Sequence, residues 1–250
     1  MTSADATSSA AQLRLLDVQA ADTALAQLAH RRRTLPELGE IADRERCAAA
    51  LYNDVIDTET QVSDLATDQR RLENEVDTVR SREARDEQRL RDGGLPAKEL
   101  EGLQHELTSL ARRQSSLEDD LLEVMEQREQ LDTTLFSLVA QRAALDAERG
   151  GLETTRDAAF AQIDAAAARH ADERAAIAAE LPADLLALYE RAREHGGGIG
   201  AAMLRQRRCE GCHIELSGSE LAAVRRAAPD TVVRCENCRR ILVRTAESGL

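Results

Sequence analysis

The chain has 250 residues, of which 32% are charged and only 2% are aromatic, with no tryptophan. So few large side chains exclude a broad globular core, whereas long helices that bury a narrow apolar stripe are typical of this composition. The formal net charge is -13, but residues 199–250 hold nine arginines against six acids, so only the last fifth of the chain could attract a phosphate backbone.

The N-terminal residues 1–11 are small and polar, without the apolar segment that a secretory signal needs. No apolar run in the sequence approaches the roughly 18 residues that span a bilayer. We therefore expect a cytoplasmic protein that does not enter a membrane. In that reducing compartment, paired cysteines are more typical of metal sites than of disulfides.

Two helices are predicted in the first part of the chain. The first runs from about Ala10 to Arg33, and Pro36 breaks or redirects it, because proline cannot donate a helical hydrogen bond. A second pattern begins beside Cys47, which we expect to be at least half-buried. Its mainly apolar positions alternate in steps of three and four residues, which is the seam of a coiled coil. These positions are Ala48, Leu51, Val55, Thr58, Val62, Leu65, Gln69, Leu72, Val76 and Val79.

A chain reversal is predicted at Arg91–Pro96, where two glycines and a proline interrupt the helix. A second seam follows at once, with a weak point or kink expected at Gly150–Gly151. Two seams joined by a short turn predict a mainly α fold, a long antiparallel coiled-coil hairpin, with pairing between molecules as the alternative. The second seam consists of Leu100, Leu103, Leu107, Leu110, Gln114, Leu117, Leu121, Val124, Arg128, Leu131, Leu135, Leu138, Arg142, Leu145, Arg149 and Leu152.

The turn also predicts which residues of the two seams face each other, placing Val79 near Leu107–Leu110. Arg128, Arg142 and Arg149 stand at seam positions of the return arm. A buried guanidinium without a partner is costly, so these side chains must reach acids, water or another surface. One interpretation is that the first helix folds back to cover Leu131–Leu152.

The hairpin and its N-terminal helix are assigned to residues 1–181. Residues 182–198 are a connecting segment, which begins with Pro182, continues as a short amphipathic helix and ends in the triglycine Gly196–Gly198. These glycines predict either a hinge or a close-packed backbone. Residues 199–250 are the last predicted domain.

Two C-x-x-C pairs, separated by 22 residues, lie in this last domain. Two residues between cysteines let both sulfurs point at one ion, and two such turns complete a tetrahedral thiolate shell. Because all four corners come from protein, no position is left for water or substrate, so the site should be structural. The predicted ligands of Zn2+ are Cys209, Cys212, Cys235 and Cys238.

The flanks of these pairs favour a small zinc ribbon. Short strands are predicted over 201–207, 231–234 and 241–244, and Ser217 with Glu220 fits the capping box of an intervening helix. Other interpretations remain for the first pair. Cys212 is followed by His213, which gives the haem-attachment pattern C-x-x-C-H. The first pair also fits a dithiol redox motif. A third alternative is that His213 replaces one of the cysteine ligands.

Several of these motifs together resemble those of a known protein family. Leu103–Glu106, Leu117–Glu126, Leu185–Tyr189 and Cys209–Leu216, with the second cysteine pair, resemble the bacterial C4-type zinc-ribbon proteins with a coiled-coil hairpin. The resemblance implies an elongated hairpin with a zinc ribbon at one end and no known catalytic activity. Some members of that group act as adaptors or chaperones for secretion and flagellar machinery, one of them serving an alternative sigma factor, and others are described as nucleic-acid-binding.

The leading hypothesis for function is a non-enzymatic adaptor or scaffold that binds a protein partner and takes no small-molecule substrate. No paired-carboxylate site, nucleophile elbow or phosphate-binding glycine loop is recognisable in the sequence. The alternative is weak, salt-dependent binding of DNA or RNA by the ribbon, which has no aromatic residue to stack on a base. Its candidate contacts are Arg205, Arg207, Arg208, Arg234, Arg239, Arg240 and Arg244.

Overall fold

The computed structural model describes residues 8–250, and residues 1–7 of the polar N-terminal segment lie outside the described residues. The predicted mainly α fold with a small C-terminal ribbon is confirmed. The helices are α1 (Ser9–Arg33), α2 (Pro36–Asp92), α3 (Ala97–Ala179), α4 (Ala183–His195) and α5 (Gly218–Arg226), and the strands are β1 (Ala201–Arg205), β2 (Arg208–Cys209), β3 (Val233–Arg234) and β4 (Ile241–Val243).

The helix boundaries follow local chemistry. Ser8 caps α1 by accepting a hydrogen bond from the Ala11 amide at 3.1 Å, and α2 begins at Pro36, where no helical N–H is required. Gly93 and Gly94 adopt φ values of +72° and +81° between α2 and α3, which glycine does without steric cost. Helix α3 continues through Gly150 and Gly151 without a break, and the predicted weak point or kink there stays a prediction.

The chain forms two compact units. The first, called the hairpin unit, is Gly39–Glu153 and consists of most of α2 and the first part of α3. The second, called the ribbon unit, joins the residues up to Leu38 to Thr154–Leu250. It therefore contains α1, the end of α3, α4, α5 and the strands, whereas the sequence had suggested that α1 belongs with the hairpin and the ribbon stands alone.

Ion pairs between α2 and α3 show how the hairpin unit is closed. Arg80 Nη2 lies 2.7 Å from Glu118 Oε1, and Arg44 Nε lies 2.7 Å from Glu148 Oε2. The first pair is nearer the turn and the second is near the end of the unit away from the turn. Helix α1 packs instead on the end of α3, with Arg32 over Phe160 and with Leu15 beside Ile177 and Leu181, so the expectation that it covers Leu131–Leu152 is wrong.

The apolar seam of the hairpin unit sets its register. Leu72, Val76 and Leu117 form a buried cluster, and Val79 packs against it. Arg82 pairs with Glu106, and Arg113 Nη2 lies 3.1 Å from Glu75 Oε2. These two cross-helix pairs lie on either side of Val79 and of Leu107–Leu110, so the predicted facing of Val79 with Leu107–Leu110 agrees with the observed register. Counting outward from the turn therefore gives the approximate register, which the interlocking seam side chains then fix.

The three arginines at seam positions find partners within the hairpin unit. Arg128 Nη1 donates to Gln69 Oε1 at 3.0 Å, and the Arg142 guanidinium lies 4.9 Å from the centroid of the Tyr52 ring. Arg149 lies 3.6 Å from an acid one turn before it and 3.6 Å from another one turn after it. The Nε atoms of Arg128 and Arg149 are buried without a hydrogen-bond partner, but they lie 3.7 and 3.6 Å from carboxylate oxygens. Their charge is thus compensated beside the seam.

The ribbon unit is built around a four-stranded sheet with the order β2-β1-β4-β3. β1 and β4 are parallel, while β2 and β3 pair antiparallel to them at the two edges. Side chains alternate between the two faces of a strand, and here both faces are buried. Ala201 and Ile241 face α1, α3 and α4, whereas Ala202, Leu204 and Leu242 face α5 and the cysteines.

Helix α1 completes the core of the ribbon unit. Leu15 and Val18 are fully buried and pack with Ile177 and Leu181 of α3 and with Tyr189 of α4. This explains why a helix with little amphipathic pattern is ordered, since it is surrounded by α3, α4 and the sheet. Among the described residues, no helix has both the length and the apolar character needed to cross a membrane.

Candidate metal centre

Two matching turns carry the cysteine pairs. In the first, the His213 amide donates to the Cys209 carbonyl at 2.7 Å, and in the second the Arg239 amide donates to the Cys235 carbonyl at 2.9 Å. The residue after each pair adopts a left-handed backbone, with φ of +61° at His213 and +65° at Arg239. The two C-x-x-C segments are therefore local copies of one turn, each aiming two sulfurs to the same side.

The four sulfurs converge as a tetrahedral zinc site requires. All four ligand atoms lie within 4.8 Å of one another, with 3.8 Å between the Sγ atoms of Cys209 and Cys238 and 3.9 Å between those of Cys212 and Cys235. A tetrahedron with Zn–S bonds of about 2.3 Å has edges of about 3.8 Å. The cluster therefore fits Zn2+, whereas a disulfide would need sulfurs about 2 Å apart.

The surroundings of the thiols couple metal binding to proton release. Burial raises the pKa of Cys209 to about 12 and raises that of Cys235. Burial also disfavours the Cys238 thiolate, but hydrogen bonds from the Arg240 amide and from the neighbouring thiols outweigh it and lower the pKa of Cys238. Buried thiols of this kind become thiolates when a cation compensates their charge, so zinc would hold the two turns together.

Cys47 and His213, for which predictions were also made from the sequence, both lie outside the metal centre. Cys47 is exposed, so the expectation that it is at least half-buried is wrong. His213 is also exposed and stands outside the cluster of four cysteines. Since the second cysteine pair shares the site with the first, the haem-attachment reading, which would leave that pair without a role, has no support in the geometry.

Arg240 ties the metal turns to the connecting segment. Its guanidinium donates to the carbonyls of Gly211 and Gly196 at 2.5 Å each and to that of Ile199 at 3.2 Å. A Cβ atom at Gly196 would lie 2.2 Å from the Ile199 oxygen, so the first glycine of Gly196–Gly198 is close-packed. The other two glycines adopt φ of +66° and +92°, and the triglycine is thus a tight, left-handed reversal.

A buried polar network on α1 positions the strand that leads to the first cysteine. Gln19 Oε1 accepts from the Gly200 amide at 2.7 Å, immediately before β1, and Tyr189 Oη donates to Asp22 Oδ2 at 2.6 Å. Arg174 Nε pairs with Asp22 Oδ1 at 2.6 Å. Burial, followed by the hydrogen bond to Asp22, raises the pKa of Tyr189, so the phenol stays protonated and donates.

Sequence reasoning missed this network. Its signal was weak but present, because Gln12, Leu15, Gln19 and Asp22 follow one another in steps of three and four, and all four are buried. Polar residues at seam spacing indicate a buried polar layer only when a partner for them is known. The partners lie on α3, on α4 and immediately before β1, and they are more than 150 residues away in the chain.

The helical hairpin and the four-cysteine ribbon each match a known domain family. Residues 18–197 match the model of the CT398-like coiled coil hairpin domain, and residues 208–242 match that of the C4-type zinc ribbon domain. The chain belongs to the CT398-like coiled-coil hairpin family. The resemblance drawn from the sequence is thereby confirmed.

Relatives and solved structures of the CT398-like family extend over nearly the whole chain. An uncharacterised protein of Mycobacterium tuberculosis is 40% identical over 94% of this chain and 96% of its own length. One of Mycobacterium leprae is 35% identical over 85% of this chain and 91% of its own. A solved structure from Mycobacterium smegmatis has a TM-score of 0.86 at 35% identity, covering 96% of this chain and all of that one.

The CT398 protein of Chlamydia trachomatis gives a TM-score of 0.71 at 20% identity over 94% of this chain and 98% of that chain. At this identity the likeness establishes the fold alone. The fold, the four-cysteine zinc centre and the family are thus established together.

The ribbon arginines proposed for nucleic-acid binding are largely engaged within this CT398-like chain. Arg244 is the extreme case, donating to five carbonyls between Val224 and Thr231 at 2.7 to 3.4 Å. Arg234 and Arg239 make no side-chain hydrogen bond to the rest of residues 8–250. The other engaged groups are Arg205 with Glu247, Arg207 with the Gly249 carbonyl, Arg208 with the His213 carbonyl, and Arg240 as described above.

Proposed function

We propose that the protein is a non-enzymatic adaptor of the cytoplasm, in which the hairpin unit presents a binding surface to a protein partner and the zinc-stabilised ribbon unit anchors that surface. The observation that carries this proposal is the distribution of charge. The hairpin unit contains 28 acids and 15 bases, which is a net charge of -13. The remaining residues contain 18 acids and 18 bases, so the whole net charge of the chain lies in the hairpin unit.

A second line of support comes from what holds the hairpin unit together. Its core is a narrow seam, and its cross-helix ion pairs are exposed to solvent. Exposed ion pairs add little stability, typically less than about 1 kcal/mol each. A surplus of acidic surface therefore has no evident role in folding, whereas it would guide association with a basic partner.

The ribbon arginines give little support to the alternative function, which is nucleic-acid binding. Binding to a phosphate backbone uses cationic side chains that are free to reach it, and five of the seven candidate arginines already bond to groups of this chain. The closed thiolate shell adds negative charge beside them. Protein binding by the hairpin unit is thus the better-supported proposal, and weak nucleic-acid binding is the outcome that the experiment must separate from it.

The test is affinity capture of the full-length chain, carrying a small tag and expressed at its native level, after mild cross-linking in its own cells. We expect specific enrichment of at least one protein, and this enrichment should persist after nuclease treatment. The enriched protein should bind the purified chain in about equimolar amounts. Enrichment that disappears with nuclease would support the nucleic-acid alternative. No protein enriched above a tag-only control would refute the adaptor function.

A matched variant shows which unit is responsible. Arg244→Gln with Arg240→Gln would remove ribbon charge but would also break internal bonds, so the better choice is Arg234→Gln with Arg239→Gln. These two side chains make no hydrogen bond among the described residues, and their loss should leave both the fold and partner capture unchanged. If this double variant abolishes capture, the ribbon rather than the hairpin unit carries the binding.

A further inference from the structure

An apolar patch interrupts the acidic surface of the hairpin unit. Phe136 is 78% exposed and Val139 49% exposed on α3, while Tyr52 and Ile56 are 48% and 41% exposed on α2. Each pair is three or four residues apart, so its members lie on one side of their helix. We call these four residues the mid-arm patch.

The two halves of the mid-arm patch are neighbours. Arg142 lies one turn beyond Val139 on α3, and its guanidinium stacks over the Tyr52 ring at 4.9 Å. Because α2 and α3 run antiparallel, Ile56 on α2 then lies level with the turn that carries Phe136. The patch therefore spans both helices of the hairpin unit.

The exposure of Phe136 is unusual for this sequence. The chain has two phenylalanines and two tyrosines, and Phe160 and Tyr189 are both packed, the former beneath Arg32 at 4.2 Å and the latter in the core. Single exposed apolar residues are common, but contiguous ones mark interaction sites. A protein with so few aromatic side chains places its most exposed one here.

The pattern continues along α3 with helical spacing. Leu122 is 57% exposed and Met125 45% exposed, and they precede Phe136 and Val139 by fourteen residues each, which is two heptads. Apolar anchors at every second heptad, with Glu129 and Asp132 at the heptad between them, fit an α-helix laid alongside. The shape of the surface thus indicates a helical occupant.

The charge around the mid-arm patch indicates the composition of that helix. Glu59 lies one turn from Ile56 on the same side of α2. Glu129 and Asp132 lie between Met125 and Phe136 on α3. A second copy of this chain would bring another hairpin unit with a net charge of -13 against the first, which like-charge repulsion disfavours. A helix with an apolar stripe and lysine or arginine on its flanks would satisfy both features.

We propose that the mid-arm patch docks a basic amphipathic helix of a protein partner. This inference rests on the proposed adaptor function and gives its binding surface and partner chemistry. Apolar contacts at Phe136 and Val139 would supply the anchor, and the surrounding acids would supply orientation and fast association.

The direct test uses the full-length protein and a synthetic peptide of about 18 residues, long enough to form a helix, built from leucine on one face and lysine on the other. We expect the double variant Phe136→Ser, Val139→Ser to weaken binding at least about tenfold, since two apolar anchors are lost. Leu100→Ser removes an exposed leucine of the same unit away from the patch and should change affinity by less than about twofold. Far-UV circular dichroism checks that both variants are folded.

Three results would overturn the proposal. Equal affinity of the double variant and of the wild type would mean that the acidic surface binds the peptide by charge alone. Equal binding of a leucine–glutamate peptide would remove the requirement for a basic helix. Concentration-dependent dimerisation that the double variant abolishes would assign the patch to a second copy of this chain.

The same double variant separates this inference from the adaptor function. If wild-type capture in cells succeeds and the double variant retains the same partner equally well, the patch is not the docking site and the adaptor function stands. If the wild type captures no protein, the adaptor function fails, and the peptide measurement still decides whether the patch binds a basic helix.

Discussion

Replacing Gln19 by leucine tests the idea that α1 holds the first strand of the ribbon unit in place. The Gln19 side chain accepts from the buried Gly200 amide at 2.7 Å and donates to the Gly198 carbonyl at 3.2 Å. Leucine has a similar volume but makes neither bond. Gly198 is exposed and its carbonyl can turn to water, whereas Gly200 is buried, and its orphaned N–H should cost about 1–3 kcal/mol.

The cost is local to β1, so the assay must resolve segments of the chain. In hydrogen exchange followed by mass spectrometry, a loss of 1–3 kcal/mol accelerates exchange about 5- to 150-fold, and we expect this for Gly200–Leu204. A peptide from the hairpin unit, near Leu72, should be unaffected. Gln27→Leu on the exposed side of α1 is the matched control. Unchanged exchange at β1 in the Gln19→Leu variant would refute the reasoning, as would equal acceleration near Leu72.

Three further predictions concern the metal and the hairpin. Cys235→Ser should lower the zinc content, measured by mass spectrometry, from about one ion per chain to well below that, with far-UV dichroism largely preserved, whereas Cys47→Ser should leave both unchanged. Since burial raises the pKa of Cys209 to about 12, zinc binding must release protons, so apparent zinc affinity in a chelator competition should fall by about tenfold or more per pH unit on acidification; a flat profile would contradict this. Val76→Cys with Leu117→Cys should form a disulfide inside one chain on mild oxidation; cross-links between chains alone would instead favour the intermolecular coil.

Much of the fold could be predicted because its signals are local. The apolar seams of α2 and α3 repeat every seven residues, Pro36 and Gly93–Gly94 mark the helix ends, and Ser217 with Glu220 forms the capping box that begins α5. Each of these depends on residues within one or two turns of each other. The zinc centre was predictable for the same reason, since each C-x-x-C pair builds its own turn.

The parts that failed depend on contacts between distant residues. Helix α1 was predicted to cover Leu131–Leu152 but packs with Ile177, Leu181 and Tyr189, which no local pattern in α1 indicates. Cys47 lies beside the seam in sequence, yet the supercoil leaves it exposed.

The sequence by itself determined the helical hairpin, the four zinc ligands and the acidic character of the coil, because periodicity, metal-ligand spacing and charge are properties of neighbouring residues. The tertiary structure alone decided that α1 belongs to the ribbon unit, where Gln19 and Asp22 are buried against Gly200, Arg174 and Tyr189. It also decided that Phe136 is exposed while Phe160 is covered. The physical reason is that burial depends on which surfaces meet after the chain has folded, and residues 150 or more positions apart carry no local sign of that meeting.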